Sequence, residues 1–473
     1  MRRHLLVLVF SFSILCQAQD RSSGLPSAPS PAALLSMSGP LQTPTPVQDQ
    51  PASLVKVDAA TTTEITLSEA EQMALKNNPR ITASQLLSLA TGQVTRQVRS
   101  GELPQVNGFA TAADAEDGSR IGAGSLTSSR LYAHAGTGGT LSQLLTDFGH
   151  TRDLVASSRL QEKAQDRTAA ATEQDVLFAT DQTFYRLLNA QSWLDVASAT
   201  VKARGDVQSL TQALTKSALK SDLDLNIASA DLSQAQLLQL DAENSVASAS
   251  AALAALLAAA PETIYRAVDV ATGTLPPPPG PDSFPALNAS AQTQRPDLQA
   301  LHLDVQADQK LAHAQELQHL PSISALATGG VTPFAPSGAF TPDWYAAGGV
   351  NLSLPIFTGF HIEAQAEEAR LRGRAATKQA QDLSDTIARD VRIAMLNAQT
   401  AFRRIGVAEQ FRAQTAQALS LAQTRYKLGL SSIVELSQAQ LQSTQAAVGA
   451  VNARFDYLLA LRSLDYARGQ LAP

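Results

Sequence analysis

Residues Arg425–Ala447 read RYKLGLSSIVELSQAQLQSTQAA. The flanks are rich in Leu, Gln and Ala and form helix readily, yet Gly429-Leu430-Ser431-Ser432 interrupts them and the acid Glu435 follows one turn later. Glycine supplies the left-handed residue on which helices commonly end, and Ser431 or Ser432 can cap the helix that restarts. The break therefore reads as the turn of an αα-hairpin, and the length of its arms decides the fold.

Upstream, the 68 residues from Phe360 to Lys427 contain no proline. Leu383, Ile387, Val391, Ala394, Ala398, Phe402 and Ile405 recur in steps of four and three, close to the ~3.67 spacing at which a helix needs little left-handed supercoil. At ~1.5 Å per residue, one helix of this length spans roughly 100 Å. A second such stretch, Thr151 to Ser217, precedes a second turn, KSALKSDLDL from Lys216, in which Ala218 stands where Gly429 does. An alanine held in the left-handed region costs about 1–2 kcal/mol, so this first tip is expected to turn differently.

The two hairpins belong to a duplication. NNPRITA around Pro79 returns as QRPDLQA around Pro296, and LPQV from Leu103 returns as LPSI from Leu320, both 217 residues on. TDFG ending at Gly149 returns as IFTG ending at Gly359, 210 residues on, and the two hairpin turns lie 211 apart. The expected organisation is a signal peptide (1–18), a Pro/Ser-rich linker (19–63), a first repeat (64–271), a Pro-rich linker (272–285) and a second repeat (286–473). Each repeat runs helix, extended segment, loop, extended segment, long hairpin. The opening helix in ITLSEAEQMALKNNP has Ser68 as candidate N-cap with Glu71 three residues on, a capping box, and is expected to end near Pro104; its counterpart spans 287–320.

Arg2 and Arg3, the apolar run Leu5 to Leu15 and Cys16-Gln17-Ala18 make an export signal with cleavage expected after Ala18. The alternative reading makes Cys16, the chain's only cysteine, a lipid acceptor. Of the 473 residues 44% are hydrophobic and 16% charged, with a formal net charge of −6, which gives no basic face for nucleic acid. His134, His150, His302, His313, His319 and His361 show no metal-ligand spacing, and no phosphate loop or nucleophile elbow occurs. No enzyme, cofactor or metal is expected.

Beyond the signal no stretch reaches the ~18–20 uninterrupted apolar residues of a membrane helix. In GVNLSLPIF, Val350, Leu352, Leu354 and Ile356 alternate with polar residues, a strand pattern with one apolar face. The segment LYAHAGTGGTLSQLL is a weaker, Gly-rich match. Phe148, Phe357, Trp344 and Tyr345 flank these strands as candidate girdle aromatics, with loop packing the alternative for Trp344 and Tyr345. Four strands cannot close a transmembrane barrel, which takes about eight or more, and an open sheet in lipid leaves unsatisfied backbone. If the strands span a membrane, several chains share one barrel.

ITLSEAEQMALKNNP, LPQV, LSQLLTDFG, LSLPIFTG, RYKLGLSSIVELSQAQL and ARFDYLLALRSLDYARG, in this order over about 65–469, resemble the TolC-type outer-membrane efflux protein family. The resemblance implies a mainly α fold with a small β part. Duplicated αα-hairpins form a trimeric α-barrel in the periplasm, and four strands per chain contribute to a shared twelve-stranded barrel in outer-membrane lipid. It implies an exit duct of a tripartite efflux or type I secretion system, with a periplasmic adaptor and an inner-membrane transporter as partners. The alternative is a non-channel periplasmic coiled-coil adaptor or structural protein, although adaptors usually carry one hairpin rather than two. Tyr426, Gly429 and Glu435 fall where the family has a tip tyrosine, the turn glycine and an acid near the periplasmic constriction. Asp224 is the first-half counterpart of Glu435, with Asp222 close by, so Asp222, Asp224, Tyr426 and Glu435 are the candidate gate; the alternatives are a solvated helix-start acid for Glu435 and plain packing for Tyr426. Two departures weaken a closed state locked by arginine: Gln438 replaces a common second acid, and Ser431 stands where some members carry arginine. The two tips, Ser217-Ala218-Leu219-Lys220 and Leu428-Gly429-Leu430-Ser431, are the candidate adaptor contacts.

Overall fold

A computed structural model describes residues 62–113, 120–123, 126–130, 134–268, 275–332 and 343–471. The expected signal peptide, Cys16 and most of the first linker lie outside the described residues. Strand β1 (Thr62–Ile65) begins just inside that linker. Then follow α1 (Leu67–Asn77), α2 (Pro79–Arg99), β2 (Gln105–Ala113), the short strands β3 (Arg120–Ala123) and β4 (Leu126–Arg130), β5 (His134–Thr146), α3 (His150–Lys216), α4 (Asp222–Leu256) and β6 (Ile264–Ala267). The second half repeats the plan as α5 (Phe284–Gln294), α6 (Pro296–Leu317), β7 (Ser322–Thr332), β8 (Asp343–Ser353), α7 (His361–Lys427) and α8 (Ile433–Ala467).

The opening helix of each half is two helices rather than one. Asn78 and Arg295 take extended backbone, and Pro79 and Pro296 start the next helix, because a residue before proline is driven out of the helical region. Asn78 caps α2 by accepting from Arg80 N at 2.9 Å, while its Nδ2 donates to Leu256 O at 2.9 Å and ties α2 to the end of α4. The first capping box is not at Ser68. Thr66 is the N-cap and Glu69 closes the box, which leaves Glu71 free to turn inward, where it is buried.

Helices α3 and α7 each run 67 residues without a break, about 100 Å at 1.5 Å per residue. Near the strands α3 packs on α2 and α6, with Ser157 Oγ donating to Ala307 O at 2.8 Å. Toward the tips it packs on α4 and α8, where Thr200 and Thr444 approach to 3.4 Å. α7 lies on α6 and then α8. Alanine dominates these seams: Ala197, Ala228, Ala235, Ala242, Ala398 and Ala446 are buried, letting long helices lie close over many turns. Larger side chains gather where the short helices meet the long ones, around Val176, Phe184, Leu187, Leu253 and Phe455, with β1 and β6 pairing in parallel beside them.

Both hairpin tips turn alike. At the second, Gly429 has φ +74°, Gly429 N donates to Tyr426 O and Leu430 N to Arg425 O at 2.8 Å. At the first, Ala218 has φ +54°, Ala218 N donates to Thr215 O and Leu219 N to Leu214 O at 2.9 Å. The expectation of a different first turn is therefore wrong. The paired bonds satisfy carbonyls that the helix end leaves open, and they hold alanine in its strained conformation.

Candidate functional site

Strands β2, β5, β7 and β8 form one antiparallel sheet in that order, so β2 and β8 are its edges. Register sorts their side chains into two faces. One face carries Val106 beside Leu141, Val331 beside Trp344, Ala325 beside Val350 and Ile323 beside Leu352. The other is richer in polar residues, with Gln105 beside Ser142, Asn107 beside Thr140, Thr140 beside Thr328 and Ser324 beside Asn351, although Leu326 beside Ser142 and Leu144 beside Ser324 share it. In the single chain the apolar face is bare: Trp344 is 81% and Val106 75% exposed. Apolar-out, polar-in alternation is the pattern of a strand between lipid and an aqueous lumen. Among the described residues no helix is long and apolar enough to cross a membrane.

Three girdle candidates are exposed at the ends of these strands: Phe148, Trp344 and Phe357. Tyr345 is not with them. It shares the polar face with Phe109, and its hydroxyl would lie 2.7 Å from a Cβ placed on Gly330. A side chain on that glycine would displace the tyrosine. The expected strand through Leu354 and Ile356 stops at Ser353, since Pro355 cannot donate to a ladder. Asp147 then starts α3, its carboxylate accepting from Gly149 N at 3.2 Å and Thr151 N at 2.8 Å.

At the far end, Tyr426 is buried, with its hydroxyl 3.0 Å from Thr211 Oγ1 and Lys220 Nζ 4.6 Å from its ring centroid. The tyrosine thus joins the second hairpin to both α3 and the first tip. Burial raises its pKa, against a lowering contribution from Thr211. Asp224 accepts from Ser221 N at 3.1 Å while Ser221 Oγ accepts from Asp224 N at 3.2 Å, a capping box that starts α4. Glu435 N donates to Ser432 Oγ at 3.3 Å, and its carboxylate lies 3.6 Å from Arg425. Asp222 is exposed in the first turn of α4, where the helix dipole favours an acid. Of the tip residues, Ser217 bonds back to Ala213 O at 3.0 Å, and Leu219, Leu428 and Leu430 are exposed.

One cluster has no precedent in the sequence reading. Arg462 of α8 donates to Asp181 of α3 at 2.5 Å and also to Glu71 of α1. Both carboxylates are buried. Burial first, then the neighbouring Asp181, pushes the Glu71 pKa up to about 8, against a lowering by Arg462. Nearby, Phe178 stacks on Tyr466 with centroids 4.6 Å apart, and Tyr466 donates to Asp175 at 2.6 Å. The only sequence signal was an acid in an apolar stretch, and sequence spacing carries no mark of partners hundreds of residues away.

Comparison with known proteins places this architecture. The family model described as Outer membrane efflux protein matches twice, over residues 70–259 and 287–470. Outer membrane protein TolC of Salmonella enteritidis is 26% identical over 442 residues, covering 86% of this chain and 83% of the relative. TolC of Escherichia coli (strain K12) is 26% identical over 440 residues, covering 86% and 82%. The crystal structure of a membrane protein from Pseudomonas aeruginosa superposes with TM-score 0.75 at 23% identity, covering 90% of this chain and 99% of the other. The two-faced sheet, the paired long hairpins and the double match agree: the chain belongs to the outer membrane efflux protein family, and it is an outer-membrane protein with a long periplasmic extension.

Proposed function

We propose that three copies of this chain close one twelve-stranded barrel and a continuous helical tube, forming an exit duct from the periplasm through the outer membrane. The observation that carries this reading is the open four-stranded sheet with an apolar face and two unpaired edges, β2 and β8. Unpaired backbone in lipid is strongly unfavourable. The strands alternate in direction, so β2 and β8 run opposite ways, and β8 of one copy can pair antiparallel with β2 of the next. An inner-membrane transporter delivers cargo, and a periplasmic adaptor contacts the exposed tips Ser217–Lys220 and Leu428–Ser431. Cysteines placed on the helix-proximal ends of the two edges, Gln105 or Asn107 with Asn351 or Ser353, are expected to give a covalent trimer on oxidation for at least one pairing. A ladder that stops at monomer for every pairing, in protein that retains native secondary structure, overturns the shared barrel.

A further inference from the structure

Arg462 of α8 meets two carboxylates at once, Asp181 of α3 at 2.5 Å and Glu71 of α1. Glu71 is 3% and Asp181 0% exposed, and the Glu71 carboxyl is within hydrogen-bonding reach of Asp181. Asp181 Oδ1 is enclosed and meets no donor among the described residues. Two carboxylates ionised against one guanidinium leave an uncompensated charge in a buried site, which is strongly unfavourable. The other charges nearby do not balance it. α8 adds Asp465, which is paired with Arg468 at 3.6 Å, and α3 adds Tyr185 beside Arg462. Glu69 and Lys76 of α1 are exposed, Glu64 of β1 is paired with Arg266 of β6, and α4 carries no charge after Glu243. Burial and the adjacent Asp181 accordingly hold the Glu71 proton above the usual carboxylate range.

We propose that Glu71 and Asp181 share one proton, and that this proton clasps α1 to α3 and α8. A carboxylic acid at Glu71 donates to Asp181, supplying the donor that Oδ1 lacks, and Arg462 then faces a single negative charge. When the proton leaves to solvent at alkaline pH, the site holds two negative charges against one positive. Glu71 turns outward with the N-terminal half of α1, and the core side chains Ile65, Ala70 and Ala74 open to water. The second repeat lacks the device. The 217-residue offset makes Asn288 of α5 the counterpart of Glu71. There Gln292 Nε2 donates to Ser384 O at 2.9 Å and Ser384 Oγ to Gln292 Oε1 at 2.8 Å, joining α5 to α7. None of these groups titrates, so α5 is a reference inside the same molecule. All the clasp residues come from one chain, so the proposal does not depend on the exit-duct reading.

The test is hydrogen–deuterium exchange of the full-length protein in lipid nanodiscs at about pH 6.5 and about pH 9, with exchange times rescaled for the intrinsic pH dependence of amide exchange. Protection of α1 peptides carrying Ala70 and Ala74 is expected to fall about tenfold between these values, while α5 peptides carrying Ala291 keep theirs. Glu71→Gln retains a donor to Asp181 and has no proton to lose, so its α1 protection should be equal at both values. Asp181→Asn leaves Glu71 and Arg462 to pair one to one, so α1 should stay closed at the higher value. Equal losses in α1 and α5, or parental α1 protection that ignores pH, overturns the proposal. So does either variant opening as the parent does. The first two outcomes are read on the parent, so the test stands even where a variant fails to assemble.

Discussion

Ala218 sits at φ +54° while its counterpart Gly429 sits at +74°, and the two tips share one hydrogen-bond pattern. The alanine pays a backbone penalty that the glycine avoids, so Ala218→Gly is expected to stabilise the first tip by up to about 1 kcal/mol. Slower hydrogen exchange at the Ala218 and Leu219 amides would show it. Gly429→Ala should do the reverse, and the cost is purely conformational because an added Cβ there meets nothing within 4 Å. Glu71 gives a pH prediction. Its pKa is raised from 4.5 in the unfolded chain to about 8 in the fold, so folding takes up a proton between those values. That contribution to stability is fully present below about pH 4.5, falls as pH rises, and is lost above about pH 8. Thermal unfolding of Glu71→Gln should show a flatter decline from pH 5.5 to 8.5 than the parent; an unchanged slope would mean that Glu71 carries no such proton. At this scale the sequence was legible where chemistry is local. Gly429 as turn residue and Ser432 as cap could be read directly. The first capping box was misplaced by two residues because Thr66 and Ser68 offer equivalent hydroxyls, each with a glutamate three positions on. Packing then sends Glu71 inward rather than back to Ser68.

Among elements, the long helices were the most legible, since dozens of residues without proline leave little alternative to continuous helix. The breaks at Asn78 and Arg295 leave no mark on hydrophobic periodicity, and only Pro79 and Pro296 signal them, by driving the preceding residue out of the helical region. The strands were half legible. Val350 and Leu352 alternate visibly, whereas β5 carries Gly136, Gly138 and Gly139, and glycine erases the alternation on which strand reading depends. The two faces yield a paired test on adjacent residues of one strand. Val350→Arg puts charge on the apolar face and is expected to cost about 2–4 kcal/mol if that position lies at mid-bilayer depth, seen as loss of folded protein in the outer-membrane fraction. Asn351→Arg points to the polar face and should leave that fraction near the parental level. Equal effects of the two would refute the assignment of faces.

For the molecule as a whole, the duplication was legible in the sequence, and both halves of the fold follow one plan; four strands are too few to close a barrel, which is what the proposed trimer answers. The sequence did not disclose how the halves interlock. α3 of the first half packs on α6 and α8 of the second, contacts that no local pattern announces. The exposed leucines at both tips, Leu219, Leu428 and Leu430, stand at the end of the molecule farthest from the sheet. Leu430→Asp is expected to abolish transporter-dependent efflux while the trimer and its membrane location persist, as measured by accumulation of a pump substrate. Parental efflux in that variant would remove the second tip from the proposed adaptor contact.

The link from Glu71 and Asp181 to Arg462 also bears on how the protein is made. These residues lie 391 and 281 positions apart along the chain, and a chain emerges from synthesis N-terminal end first. The two acids are therefore delivered long before the one cation that settles them, and α3 meets α8 only when the final stretch arrives. Until then neither hairpin has its full set of neighbours, and long apolar strands wait beside them with open edges. Chains halted short of Arg462 should remain protease-sensitive along their whole length, including the first repeat, whereas completed chains become resistant in one step. Arrival of Arg462 is then expected to complete these contacts last, so that the first half becomes resistant only together with the second.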